Sequence, residues 1–132
     1  MKVKISLDKN KAKSLLTMAE ISLERLNETN KLKYPSNTLE DYYGILHQLM
    51  ETITFIDGIK FKGEGAHFEL IDYIFKKYNF NFSHNVFLQS MRNYRNKISY
   101  EGFSVKRSYI EENEVKINEV INKLKEIILK KI

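Results

Sequence analysis

The chain has no cysteine and no tryptophan, and only one proline and five glycines among its 132 residues. Without cysteine there can be no disulfide, no thiolate nucleophile and no cysteine-ligated zinc or iron–sulfur site. No apolar run comes near the roughly 20 residues that span a bilayer, so no membrane association is expected. The first residues, Met1-Lys2-Val3-Lys4-Ile5-Ser6-Leu7-Asp8, lack the apolar stretch and small-residue cleavage site of a secretory signal. The cytoplasm is therefore the expected compartment. Glycine and proline are too scarce to interrupt regular structure often. No self-similarity with a period of 20–50 residues is present, which argues against a solenoid.

What the chain does contain is ordinary for a globular protein: 42% hydrophobic and 30% charged residues. Its length suits one domain, residues 1–132. Twenty-two Lys and Arg against 17 Asp and Glu leave a net charge of +5. The excess is concentrated. Residues 92–107 hold Arg92, Arg95, Lys97, Lys106 and Arg107 against Glu101 alone, a net +4. A basic segment of this kind points toward an anionic partner.

Apolar spacing predicts five helices and an all-α, up-and-down bundle. Ser6 is a candidate cap for the first helix, in which Ala12, Leu15, Leu16, Ala19, Leu23 and Leu26 share a face. A connection containing Pro35 leads into a second helix carrying Leu39, Tyr42, Tyr43, Leu46, Leu49, Met50, Ile53 and Ile56, which stops at Asp57-Gly58. Residues 60–65, with Gly63 and Gly65, are expected to be the most flexible loop. A shorter third helix carries Phe68, Leu70, Ile71, Ile74, Phe75 and Tyr78, followed by residues 79–82 as a packed loop. Ser83 is a candidate cap for a fourth helix, His84 to about Ser99, ended by Glu101-Gly102. The last helix starts near Tyr109 and buries Ile117, Val120, Ile121, Leu124, Ile127 and Ile128. Its acidic residues Glu111, Glu112 and Glu114 suit the helix N-terminal dipole.

The fourth helix is the one most able to carry chemistry. Phe87, Met91, Tyr94 and Ile98 fall within one arc that should face the core. Arg92, Arg95, Asn96 and Ser99 form a polar stripe beside it, with Tyr100 at its border. Two guanidiniums one turn apart, with an amide and a hydroxyl, suit a phosphate. Read alone, such a stripe is most often a solvated face. His47, His67 and His84 come from three segments with no helical i, i+4 pair among them, so each is expected to be a satisfied surface or core histidine, with no metal site. His84 lies three turns from Arg95, too far to act with it in one chain. Tyr42, Tyr43, Tyr73 and Phe75 read as core or interface. No cofactor motif is present.

The segment Arg95-Asn96-Lys97-Ile98-Ser99 resembles the signature of HEPN domains, small helical bundles often partnered with minimal nucleotidyltransferases. That signature is an arginine, usually followed by asparagine, then a short spacer and a histidine. Tyr42-Tyr43-Gly44-Ile45-Leu46-His47-Gln48-Leu49-Met50-Glu51 is similar to the family's second helix, and Gly58-Ile59-Lys60-Phe61 followed by His67 resembles the entry to its third. The resemblance spans about residues 8 to 128. It departs at one position: Tyr100 stands where the family's ribonucleases carry the histidine thought to handle the RNA 2′-hydroxyl proton. Histidine ordinarily titrates near 6.5 and a phenol near 10, so at neutral pH about one phenol in a thousand is a ready base. The resemblance therefore implies Arg95 and Asn96 as phosphate-binding residues, with catalysis by Arg95, Asn96 and Tyr100 weakened or lost. It also implies a homodimer with the signature helices at the two-fold axis, placing Arg92, Arg95, Asn96, Ser99 and Tyr100 along a basic groove for RNA or a nucleotide. A toxin–antitoxin or nucleotidyltransferase pair is the expected setting. The alternatives are a metal-independent endoribonuclease and a protein–protein interaction module.

Overall fold

Asp8, rather than Ser6, starts the first helix of the computed structural model, which describes residues 1–132. Its extended backbone (φ −143°) lets the carboxylate accept from the Lys11 amide at 3.0 Å. Helix α1, Lys9–Asn27, then buries Ala12, Leu16, Ala19 and Leu26, one stripe at helical spacing. Helix α2, Pro35–Asp57, places its proline in the first turn, where the missing N–H is harmless. Its buried residues run nearly all the way round: Leu39, Tyr42, Tyr43, Ile45, Leu46, Leu49, Met50 and Ile53 are joined by Thr38, Thr52 and Thr54. Such a helix must be central. It packs against α1 and against all three later helices: α3 (Ala66–Lys77), α4 (Phe82–Glu101) and α5 (Arg107–Lys131). The buried Thr52 and Thr54 hydroxyls donate to the carbonyls of Gln48 and Glu51, each at 2.8 Å, so no polar group is stranded there.

The bundle of five helices matches the reading from spacing, but the loop expected over residues 60–65 is shorter: Lys60 and Phe61 belong to a strand, and residues 62–65, with Gly63 and Gly65 at positive φ, make the connection to α3. Ile59–Phe61 is a short strand, β2, paired antiparallel with β1, Lys2–Lys4, in the register Val3 opposite Lys60. The pairing is possible because Gly58 ends α2 in the left-handed region (φ 73°) and turns the chain back. A Cβ at Gly58 would meet the Ile5 carbonyl at 3.2 Å, so the position needs glycine twice over.

Further boundaries shift for identifiable reasons. Asn81, not Ser83, caps α4 by accepting from the Ser83 amide at 2.9 Å. Phe80 packs against Phe75 with ring centroids 4.3 Å apart, while Phe82 joins α4 and points outward. Glu114 does more than favour a helix dipole: it accepts from the Tyr42 hydroxyl at 2.9 Å and pairs with Lys31 at 3.3 Å. The apolar face of α4 is divided. Leu88 and Met91 enter the main core, whereas Tyr94 and Ile98 pack on a smaller cluster of Leu39, Val105 and Ile110. Val105 is held there by its amide, which donates to Ser36 Oγ at 2.9 Å. No helix is long and apolar enough to cross a membrane.

At one end of the bundle, Asp57 gathers the last turns of three helices. Tyr78 and Tyr73 donate to its Oδ2 at 2.7 and 3.0 Å, Lys77 reaches Oδ2 at 3.2 Å, and Lys131 of α5 reaches Oδ1 at 3.2 Å. The carboxylate is 5% exposed. Burial alone would raise its pKa, but the hydrogen bonds from Tyr78, Tyr73 and Lys131 outweigh that and hold it low. This is a fully partnered structural charge.

Candidate functional site

Arg95 follows the buried residues Leu88 and Met91 at i+7 and i+4 on α4, so the helix aims it toward the bundle rather than away from it. It is half-buried, as are Arg92 and Asn96. Arg92 lies one turn earlier. Its Nε donates to Gln89 Oε1 at 3.0 Å and its guanidinium sits 5.7 Å from the Phe68 ring centroid on α3. Neither cation has an acidic partner, since Arg107 is the one arginine in an ion pair.

What those guanidiniums approach are two histidines. His47 follows Tyr43 by one turn on α2, and His67 precedes Ile71 by one turn on α3; both occupy the inward stripes of their helices. The imidazoles stack with centroids 4.2 Å apart and planes 24° from parallel. His47 Nδ1 lies 3.2 Å from Glu51 Oε1, and His67 Nδ1 lies 3.2 Å from the Tyr43 hydroxyl. Burial, with Arg95 beside it, pushes His47 down to about 4. Burial, then His47 and Arg95, hold His67 below its ordinary value. At neutral pH both rings are therefore uncharged, and the His47–Glu51 contact is not an ion pair.

Burial pushes the Tyr43 phenol up to about 12, against the pull of Arg92 and Arg95, so it keeps its proton while sharing a hydrogen bond of 3.2 Å with His67 Nδ1. The two imidazoles border a small cavity of about 110 Å³ that includes Thr54 and Lys60.

Of the residues singled out from the sequence, the structure brings Arg92 and Arg95 to this cluster. Ser99 and Tyr100 are exposed, and Tyr100 at 81% stands clear of it with no hydrogen bond from its phenol. His47 and His67, expected from the sequence as satisfied surface or core histidines, are half-buried with one nitrogen of each against a partner, and the fold also stacks the two rings. His84 does lie apart: it meets Phe80 edge-on at 6.4 Å, and its Nδ1 is buried without a partner. Wider hollows exist, but the one between α1 and α2 mixes Arg25 with Glu40 and Asp41 and offers no net positive charge. Compared with protein-family models, with curated proteins and with solved structures, the chain finds no match in any of the three.

Proposed function

We propose that the chain is a HEPN-like domain that binds a phosphate of RNA or of a nucleotide at Arg92, Arg95, His47 and His67. The observation that carries this reading is the pair of half-buried guanidiniums without carboxylate partners, set against two neutral imidazoles. Half-buried cations crowded together without an anion are costly, and a phosphate supplies that anion while accepting the planar guanidinium donors. Asn96, half-buried one residue beyond Arg95, adds an amide on the same helix. The test is RNA affinity against salt. Binding should weaken steeply as salt rises, and Arg95→Ala should lower affinity about tenfold or more while Arg25→Ala has little effect. Affinity indifferent to salt, or equal effects of both substitutions, would reject the proposal.

The same proposal includes a homodimer through α4. Phe82, Val86 and Tyr100 lie along its outward line and are exposed, with Phe68 of α3 nearby, which supports a second copy there. Sedimentation at micromolar concentration should report a dimer that Phe82→Glu dissociates; a monomeric wild type would reject it. A second reading, a metal-independent endoribonuclease, is favoured by one observation: two imidazoles of the same chain stand beside Arg95, where the signature itself offers only Tyr100.

A further inference from the structure

We infer that the hollow between α1 and α2 is a binding site for a free amino acid, whose carboxylate meets Arg25 and whose ammonium meets Asp41 and Glu40. The two helices pack side by side, and each turns a polar stripe toward the other. On α1, Ser22 and Arg25 lie one turn apart; on α2, Glu40, Gly44 and Gln48 follow at successive turns with Asp41 beside them. The space they enclose is about 260 Å³. That is many times the share of one water, about 30 Å³, and near the lower end of ordinary ligand pockets, about 300 Å³.

Three charged groups line this hollow, and none has a partner in the chain. Arg25, Glu40 and Asp41 take part in no ion pair. The Ser22 hydroxyl and the Gln48 side-chain amide, both half-buried, make no hydrogen bond to the protein. Partial burial raises the Asp41 carboxyl above its ordinary value, although Arg25 pulls the other way. The guanidinium thus shares the hollow with carboxylates that it does not reach. An inorganic anion would suit Arg25 and be repelled by both carboxylates, and a simple amine would meet the reverse problem. A zwitterion suits all three groups. Two carboxylates against one guanidinium hold its ammonium end the more strongly, and Ser22 and Gln48 are left to orient it by hydrogen bonds.

Gly44 is a second and independent observation. It alone among the five glycines lies outside the left-handed region, in the interior of the central helix, where glycine is a poor helix former. No close packing demands it, because a Cβ at Gly44 would meet nothing within 4 Å. A larger side chain there would stand in the hollow instead. The missing side chain is what keeps the space open. This site shares no residue with the phosphate site at Arg92 and Arg95, so the two readings fail separately.

The experiment is calorimetric titration of the full chain with free L-alanine, L-leucine and L-glutamine, each beside its N-acetyl and methyl-ester derivatives. At least one free amino acid should bind with a dissociation constant below about 1 mM. Its N-acetyl form lacks the ammonium and its methyl ester lacks the carboxylate, so each should bind at least about tenfold more weakly. Arg25→Met and Asp41→Asn should each weaken binding by about tenfold or more. Gly44→Leu should abolish it while the chain still unfolds cooperatively, at the same temperature or a higher one, because leucine is the better helix former and meets no neighbour. Arg25 and Asp41 are exposed, so their variants decide the matter should Gly44→Leu fail to fold. No binding of any of the three free amino acids overturns the inference. So does a methyl ester or N-acetyl form that binds as tightly as its parent, and so does binding that survives in folded Gly44→Leu, which would place the ligand elsewhere.

Discussion

Two clusters of charged and aromatic side chains sit in this bundle, and they differ in how completely their charges are answered. Around Asp57, one buried carboxylate meets two phenols and two lysines, every distance between 2.7 and 3.2 Å. Around His47 and His67, two arginines have no carboxylate, and each ring has one nitrogen engaged and one free. A cluster that satisfies itself holds the fold together. One that leaves positive charge and hydrogen-bonding atoms over has room for something else. The difference is what makes the second cluster, and not the first, the candidate site.

The sharpest way to break that comparison is Asp57→Asn. It leaves Lys131, Lys77 and the two phenols facing a group without charge, and should cost about 3 kcal/mol in denaturant unfolding. A loss below about 1 kcal/mol would mean that Asp57 is not the clamp described. The next effect is read by pH. His47 is held near 4 in the folded chain and titrates near 6.5 when unfolded, so its contribution is complete above 6.5 and is lost as pH falls toward 4. The loss should total about 3 kcal/mol and be absent in His47→Gln. Asp57 acts in a different window, below about 3.8, because its folded pKa is the depressed one.

Arg95→Met sharpens the contrast from the other side. Removing an unanswered cation should leave stability unchanged or raise it by about 1 kcal/mol, although phosphate binding suffers. A clear destabilisation would show that Arg95 is a packing residue. The smallest effect belongs to Arg107, whose exposed pair with Glu111 at 3.3 Å should contribute under about 0.5 kcal/mol on conversion to alanine.

Much of the architecture was legible in apolar spacing, because Leu16, Leu46, Ile71, Met91 and Leu124 recur with the helical period of the elements they fill. The strands were not. Three residues each carry no readable alternation, and Lys2–Lys4 pairs with a segment more than fifty residues away. The arginines of the site drew attention as a dense basic run, but the histidines did not, since His47 and His67 touch only after α2 and α3 have packed. A local signal existed. His47 lies between Leu46 and Met50 on the inward stripe of α2, and His67 precedes Leu70 and Ile71 on that of α3. Titratable groups on a core-facing stripe ask what they meet there, whereas Tyr100, matched by register to a motif, stands in solvent.

The little sheet has a consequence in time rather than in energy. Its few hydrogen bonds link three residues to three, so it should open far more often than the central helix, in the way short peripheral elements do. Its second strand leads directly to α3, which begins one residue before His67. Each opening would slacken the entry to α3 and let one imidazole swing from the other while Arg95 and His47 stay in place. Amide exchange at Lys60 should then be fast, exchange at Ile53 slow, and the lifetime of the stacked pair set by a segment that touches neither ring's partner on α4.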